Sequence, residues 1–311
     1  MRKILITGAN GFVGTALAAR LAATPGFAVR GAVRNGTVRL GTKVERAVVG
    51  DLGRGANWAA ALAGVEVVVH LAARVHVMHD PVPDPLSVFR QVNVDGTLEL
   101  AKQASASGVK RLVFLSSVKV NGEAGFFSES DPPAPQDAYA VSKHEAELGL
   151  RAIAGETGIE MVIIRAPLVY GPGVGANFHA LMRAVARGIP LPFAAIDNRR
   201  SFVGLDNLVD FIRACIQHRA AANETFLVSD GEDLSTPDLI RRLASAMGVK
   251  ARLFAVPPRL LLGMAMLLGK REAARRLLGS LQVDISKARR LMSWAPPETV
   301  DEGLERLIAR S

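Results

Sequence analysis

The chain is predicted to be an α/β protein: a doubly wound parallel sheet with a smaller, mostly C-terminal α+β unit. Three observations carry this. Short Val- and Ile-rich runs without polar alternation recur between stretches of helical periodicity, the pattern of a parallel sheet buried on both faces. The first run leads directly into a glycine loop, Gly8-Ala9-Asn10-Gly11-Phe12-Val13-Gly14, which opens a helix. After about residue 170 the alternation loosens, with Pro/Gly segments at 171–175, 190–192 and 257–258.

The elements follow in order. Ile4–Thr7 reads as the first strand and 12–23 as the helix behind the loop. Further strands are expected at Ala28–Val33, Ala47–Val49, Val65–Leu71, Leu112–Leu115 and Met161–Ile164. Helical periodicity fills 56–63, 86–107 and 138–157, and a helix at 206–219 is expected to return to the main sheet. This assigns a dinucleotide-binding unit to 1–170, with a returning segment at about 200–220, and a substrate-binding unit to the remainder of 171–311.

Composition narrows the class. With 311 residues, 49% apolar and 22% charged, the chain can bury an ample core as an ordinary globular protein. One cysteine excludes an internal disulfide framework and suits a reducing cytoplasm. Cys215 shares helical spacing with Leu208, Phe211, Ile212 and Ile216, so it is expected as core rather than nucleophile. The first apolar run is too short for a signal peptide, and Leu260–Leu268 is too short to span a bilayer. The net charge of +9 favours anionic ligands or surfaces. Much of it lies late: from Lys250 onward there are 12 Lys/Arg against 6 Asp/Glu. Few aromatics interleave with these charges and no nucleic-acid motif is present, so nucleic acid is not expected as a partner. His76 and His79 lack acidic or cysteine companions at ligand spacing, and no metal site is expected. The segment 257–279 carries Leu260, Leu261, Met264, Leu267 and Leu268 before Lys270, Arg271, Arg275 and Arg276. It is expected to pack on its own core, with weak contact to a membrane surface as the alternative.

Two constellations carry chemistry. Glycines at 8 and 11 permit a tight turn and close approach of backbone to a pyrophosphate at a helix N-terminus, while Gly14 allows tight packing of helix on strand. Tyr139 and Lys143 stand one helical turn apart, downstream of Ser116-Ser117. An ammonium there is expected to depress the phenol's pKa from ~10, letting it exchange a proton with a carbonyl or alcohol while a nicotinamide handles the hydride. Asp51, after the third strand, offers a carboxylate to an adenine amino group.

Together these residues resemble the extended short-chain dehydrogenase/reductase family, in its nucleotide-sugar epimerase and reductase branch, over nearly the whole chain. Thr7-Gly8-x-x-Gly11-x-x-Gly14 is similar to the family's cofactor loop, which implicates Asn10, Phe12 and Val13 as well. Asp51-Leu52 resembles its adenine contact, and His70-Leu71-Ala72-Ala73 the strand end at the nicotinamide ribose. Asn93 is similar to its helix-kinking asparagine. Ser117, Tyr139 and Lys143 align with its catalytic serine, tyrosine and lysine, and the resemblance adds Ser116 and Pro167 to the cofactor contacts. Arg165-x-Pro167-x-x-Tyr170-Gly171-Pro172 resembles the strand entering the substrate site. Arg200, before Ser201-Phe202-Val203, resembles the diphosphate-holding arginine, and Asn177 stands where the family contacts diphosphate or base. Asp284-Ile285-Ser286-Lys287-Ala288, with Trp294 and Pro296, is similar to its C-terminal ending.

Three departures sharpen the expectation. Val118 and Lys119 replace the Asp-Glu pair of the family's dehydratases, so water removal is not expected. Leu168 stands where many members carry a substrate-side asparagine. Arg34 replaces the acid that selects NAD, so NADP is the preferred cofactor, with NAD the alternative. The resemblance therefore implies a cytoplasmic homodimer acting at C4 of a UDP-linked hexose. Reduction of a UDP-4-keto-6-deoxy-hexosamine type substrate leads. A UDP-hexose 4-epimerase, of the UDP-glucose or UDP-GlcNAc type, is the alternative. A non-catalytic dinucleotide-binding Rossmann protein is the third reading; it needs the glycine loop but not Ser117, Tyr139 and Lys143 together.

Overall fold

The first half of the chain alternates strand and helix. In the computed structural model, which describes residues 1–75, 84–267, 269 and 271–310, it runs β1 (Arg2–Thr7), α1 (Phe12–Ala22), β2 (Phe27–Val33), β3 (Val44–Val48), α2 (Ala59–Leu62) and β4 (Val67–His70). Next come α3 (Pro85–Phe89), a π-helical turn (Arg90–Asp95), α4 (Gly96–Ala106), β5 (Arg111–Ser117), β6 (Gly125–Phe127), α5 (Ala138–Thr157) and β7 (Glu160–Ala166). The rest comprises β8 (Leu168–Tyr170), α6 (Ala176–Ala186), β9 (Arg200–Gly204), α7 (Leu205–Gln217), β10 (Thr225–Leu227), β11 (Asp233–Leu234) and α8 (Thr236–Ala246). It ends with α9 (Pro258–Leu267), α10 (Arg271–Leu278), β12 (Leu281–Val283), α11 (Ser286–Met292) and α12 (Val300–Ala309).

Seven strands form one sheet in the order β10-β7-β5-β4-β1-β2-β3, and every pairing is parallel. The predicted doubly wound sheet is therefore present, and alternation along its strands fills both faces. Ile4, Ile6, Val67, Val69 and Val113 meet Leu17 and Leu21 of α1 and Phe211, Ile212 and Cys215 of α7. Leu5, Val68, Leu112 and Phe114 meet Leu100 of α4 and Leu150 and Ile153 of α5. Each fully buried aliphatic or aromatic side chain contributes about 1.5–3 kcal/mol. Cys215 is core, and burial pushes its thiol up, away from nucleophilic use.

The smaller sheet follows the order β11-β9-β12-β6, with β8 pairing β9. Its core joins Tyr170, Phe202 and Leu234 to Phe178, Leu243, Leu304 and Leu307 of α6, α8 and α12. After β9 the chain returns to the large sheet as α7 and then β10, which pairs with β7.

Four expectations are corrected. The third strand runs Val44–Val48, not 47–49: at the sheet edge it carries Glu45 and Arg46, so no apolar run marks its start. The helix expected at 56–63 shrinks to Ala59–Leu62. Asn57 Oδ1 accepts from the amide of Ala59, and buried Arg30 donates to the carbonyls of Ala60, Ala61 and Ala63, ending the helix. The helix expected at 86–107 is interrupted by the π turn at 90–95. Finally, α9 packs on the core along one side only: Leu261 is buried, but Leu260, Met264, Met266 and Leu267 are exposed. Leu268 and Lys270 lie outside the described residues, as do His76 and His79.

Candidate active site

Strand order reverses between β4 and β1, and ligands of doubly wound sheets bind beyond the strand ends at such a point. There β1 ends at Thr7 and β4 at His70. Thr7 Oγ1 accepts from the amides of Leu71 and Ala72 at 3.2 Å each and shares a 2.6 Å hydrogen bond with His70 Nδ1. His70 Nε2 bonds Thr97 Oγ1 at 2.9 Å and its ring stacks on Phe114. Burial and the nearby Lys143 charge hold this imidazole down at about 3, so it is a neutral clasp between strands.

The glycine loop fits a dinucleotide's diphosphate. Gly8 has a φ of +65°, and a Cβ there would lie 2.9 Å from the amide nitrogen of Ala72. A Cβ on Gly14 would come within 2.0 Å of the Gly8 carbonyl oxygen, so only glycine lets α1 seat against β1. Helix α1 starts at the Gly11 N-cap with no side-chain cap and no acid in its first turn, leaving amides and positive potential for an anion. Asn10 is exposed at this loop, and Phe12 and Val13 are half-buried at the helix start. Leu52 packs against Gly96 at the head of α4.

Arg34 and Asp51, expected to serve phosphate and adenine separately, are instead paired, Nε to Oδ1 at 2.9 Å with both side chains about four-fifths exposed. Such a surface pair is worth about 0–1 kcal/mol, so a ligand phosphate can displace the carboxylate cheaply. Asn93 is buried within the π turn. Its Oδ1 accepts from the Arg74 amide at 2.8 Å, while its Nδ2 donates to the Arg74 carbonyl and to Ser142 Oγ at 3.0 Å each. Ser142 Oγ in turn donates to the Tyr139 carbonyl at 2.7 Å. Asn93 thus braces the loop after Ala73 against the first turn of α5.

That turn carries the proposed proton-transfer residues. Asp137 caps α5 by accepting from the Ala140 amide at 2.7 Å and also pairs with Lys119, which bonds Glu123 at 2.9 Å. Lys119 follows Ser117 at the end of β5, and its amide donates to Ser117 Oγ at 3.3 Å. Serine and tyrosine are therefore held by one short chain of interactions, Ser117–Lys119–Asp137–α5. Tyr139 is half-buried, its ring edge-on to Phe89.

The expected electrostatics of this pair are corrected. Lys143 is buried with its ammonium 4.0 Å from the centre of the Phe114 ring, and burial pushes it down to about 7 against the opposing pull of Glu147. Burial, then the Asp137 carboxylate, pushes the Tyr139 hydroxyl up to about 12. Desolvation is the largest cause, so by itself the phenol holds its proton at neutral pH.

Beneath the pair lies a buried ionic network that the sequence did not announce. Glu147, one turn beyond Lys143, accepts from Ser116 Oγ at 2.5 Å and from Arg165 Nε and Nη2, the latter at 2.7 Å. Arg165 also donates to Asn121 Oδ1 at 2.9 Å. The i,i+4 spacing of Lys143 and Glu147 was the available signal. In sequence Arg165 is only part of a strand motif, and Ser116, expected at the cofactor, turns its buried hydroxyl to Glu147 instead.

On the substrate side, Pro167 is buried at the end of β7 and Leu168 is exposed. Arg200 opens β9, and its Nη1 donates to the Gly279 carbonyl at 2.9 Å, just past α10. Asn177 sits in the first turn of α6, its side chain outside the described residues. The two sheets meet at Tyr170, whose hydroxyl donates to buried Asp230 at 2.8 Å. Asp230 also accepts from the Gly204 amide and Asn207 Nδ2. Among the described residues no three His, Cys, Asp or Glu gather as a metal site.

Comparison with known proteins agrees with this architecture. The profile of the NAD dependent epimerase/dehydratase family matches residues 4–229. A UDP-glucose 4-epimerase of Vibrio cholerae is 46% identical across 98% of this chain and 94% of that protein. An N-acetyl-alpha-D-glucosaminyl-diphospho-ditrans,octacis-undecaprenol 4-epimerase of Escherichia coli O157:H7 is 28% identical over the same shares, 98% and 94%. The solved UDP-glucuronic acid 4-epimerase of Bacillus cereus in complex with NAD superposes with a TM-score of 0.79 at 22% identity, covering 99% of this chain and 98% of that one.

Proposed function

The chain belongs to the NAD dependent epimerase/dehydratase family, and from that premise we propose that it is a cytoplasmic UDP-hexose 4-epimerase. The observation that carries this is the 46% identity to a UDP-glucose 4-epimerase along 98% of the chain. The sequence reading placed reduction of a 4-keto sugar first; this relative supports its alternative instead.

A bound nicotinamide dinucleotide supplies a hydride acceptor and a positive charge, which favours the phenolate of a nearby tyrosine. In the proposed roles, Tyr139 Oη takes the proton from the C4 hydroxyl as C4 loses its hydride, and returns it once the hydride reaches the opposite face. Ser117 Oγ donates to the C4 oxygen. Lys143, titrating at about 7, supplies a partly protonated ammonium within the helix. Arg200, with Asn177, grips the diphosphate. Redox balance closes within one turnover, so no reductant is consumed.

Incubation with UDP-glucose or UDP-GlcNAc, resolved by anion-exchange chromatography, tests the proposal: the C4 epimer forms without net NADPH oxidation. Stoichiometric NADPH consumption on a UDP-4-keto sugar, with no epimer, restores the reductase. The exposed Arg34 guanidinium supports acceptance of a 2′-phosphate, so NADPH is expected to bind at least as tightly as NADH, with an advantage that shrinks as salt rises. Arg34→Asp reverses the order in fluorescence titration. Equal affinities in the wild type, or NAD co-purifying with the protein, remove Arg34 from cofactor choice.

A further inference from the structure

Helix α9 turns an apolar stripe to solvent. Leu260, Met264 and Leu267, spaced four and three residues apart on one face, are 60%, 49% and 89% exposed. Phe254, shortly before α9 in the chain, and Ile189 are exposed as well, at 48% and 45%. Backbone bonds unite their two segments: Leu191 N donates to Arg252 O at 2.8 Å, and Phe254 N to Leu191 O at 3.1 Å. Single exposed apolar residues are ordinary, but three in a row on one helix face form a candidate contact surface.

Its charge says what it contacts. From Leu239 to Arg271 the chain carries seven Lys/Arg and no Asp/Glu; Arg259 within α9 and Lys250 and Arg252 just before it are exposed, as is Arg187, next to the Gly188 that lies against the Arg252 side chain. Apolar residues bordered by cations without anions match the boundary layer of an anionic bilayer. Among the described residues no helix is long and apolar enough to cross a membrane, so such a contact lies in the interface plane.

We propose that this face docks the protein on an anionic lipid bilayer, the α9 stripe entering the headgroup boundary while Arg187, Lys250, Arg252 and Arg259 meet the anionic headgroups. The surface is coupled to the substrate side. The carbonyls of Leu277 and Gly279, at the end of the α9–α10 segment, accept from Asn198 Nδ2 at 3.1 Å each, and Gly279 also from Arg200. Docking therefore holds the Arg200 side of the site near the bilayer, whichever sugar is turned over.

Co-sedimentation of the full chain with vesicles tests this. Wild type should pellet with phosphatidylglycerol/phosphatidylcholine vesicles at low salt, be released as salt rises, and stay in solution with pure phosphatidylcholine. Replacing Leu260, Met264 and Leu267 by Gln together, or Arg252 and Arg259 by Ser, should each weaken partitioning about tenfold or more. The thermal midpoint and turnover of a water-soluble UDP-sugar should be unchanged, which separates lost docking from lost folding. Wild type that ignores anionic vesicles at low salt, or a Gln variant that binds them like wild type, overturns the proposal. So does a dimer in sedimentation equilibrium that the Gln variant dissolves while neither protein binds vesicles, since the stripe would then face a second copy.

Discussion

Tyr139→Phe keeps the ring against Phe89 but removes the proposed relay. Turnover should fall at least ~100-fold with cofactor affinity retained, and near-wild-type turnover would sink the assignment. Lys143 makes a prediction about stability. Folded, it titrates at about 7, against 10.5 for the ordinary side chain. Between those values the unfolded chain holds more protons, so wild type gains stability as pH rises through the window, and the penalty is complete below about 7. Lys143→Met abolishes this dependence. Its Tm relative to wild type should be highest near pH 6 and decline toward about pH 10; a pH-independent difference would show that Lys143 is not desolvated as described.

At the level of elements, close approach separates glycines that sequence alone treats alike. Gly14→Ala drives a Cβ into the Gly8 carbonyl, backbone against backbone, which should cost about 1–3 kcal/mol and reduce cofactor affinity sharply by displacing the loop. Gly155, inside α5, meets nothing within 4 Å of its would-be Cβ. Gly155→Ala should therefore stabilise by up to ~1 kcal/mol through helix propensity. Urea titration of both variants, with cofactor fluorescence, checks the pair; equal and opposite results to these would contradict the packing. The π turn belongs to this scale too. Asn93 was legible as a helix-kinking residue only by resemblance, because its bonds to Arg74 and Ser142 join segments far apart in the chain.

Across the whole molecule, the two sheets are tied where Asp230 gathers Tyr170, Gly204 and Asn207. Asp230→Ala removes the shared acceptor of three buried donors: the Gly204 amide is left unsatisfied at about 1–3 kcal/mol, while Tyr170 and Asn207 fall back on the carbonyls of Val300 and Glu298. A loss of about 1–3 kcal/mol is expected by urea unfolding, and no measurable change would show the joint to be incidental. This contact was invisible in sequence: nothing local marks Asp230 as the partner of a tyrosine sixty residues earlier.

The sequence by itself determined the sheet, the glycine loop and the family, because hydrophobic periodicity and backbone-dictated glycines are local properties. It also placed Ser117, Tyr139 and Lys143 on elements that the fold sets around one sheet edge. It missed the short α2, the edge strand's start and the open face of α9, where neighbours rather than propensity decide. Only tertiary structure settled the electrostatics. Glu147 meets Arg165, Arg34 meets Asp51, and Lys143 is desolvated over Phe114, since charge interactions depend on burial and on partners distant in the chain.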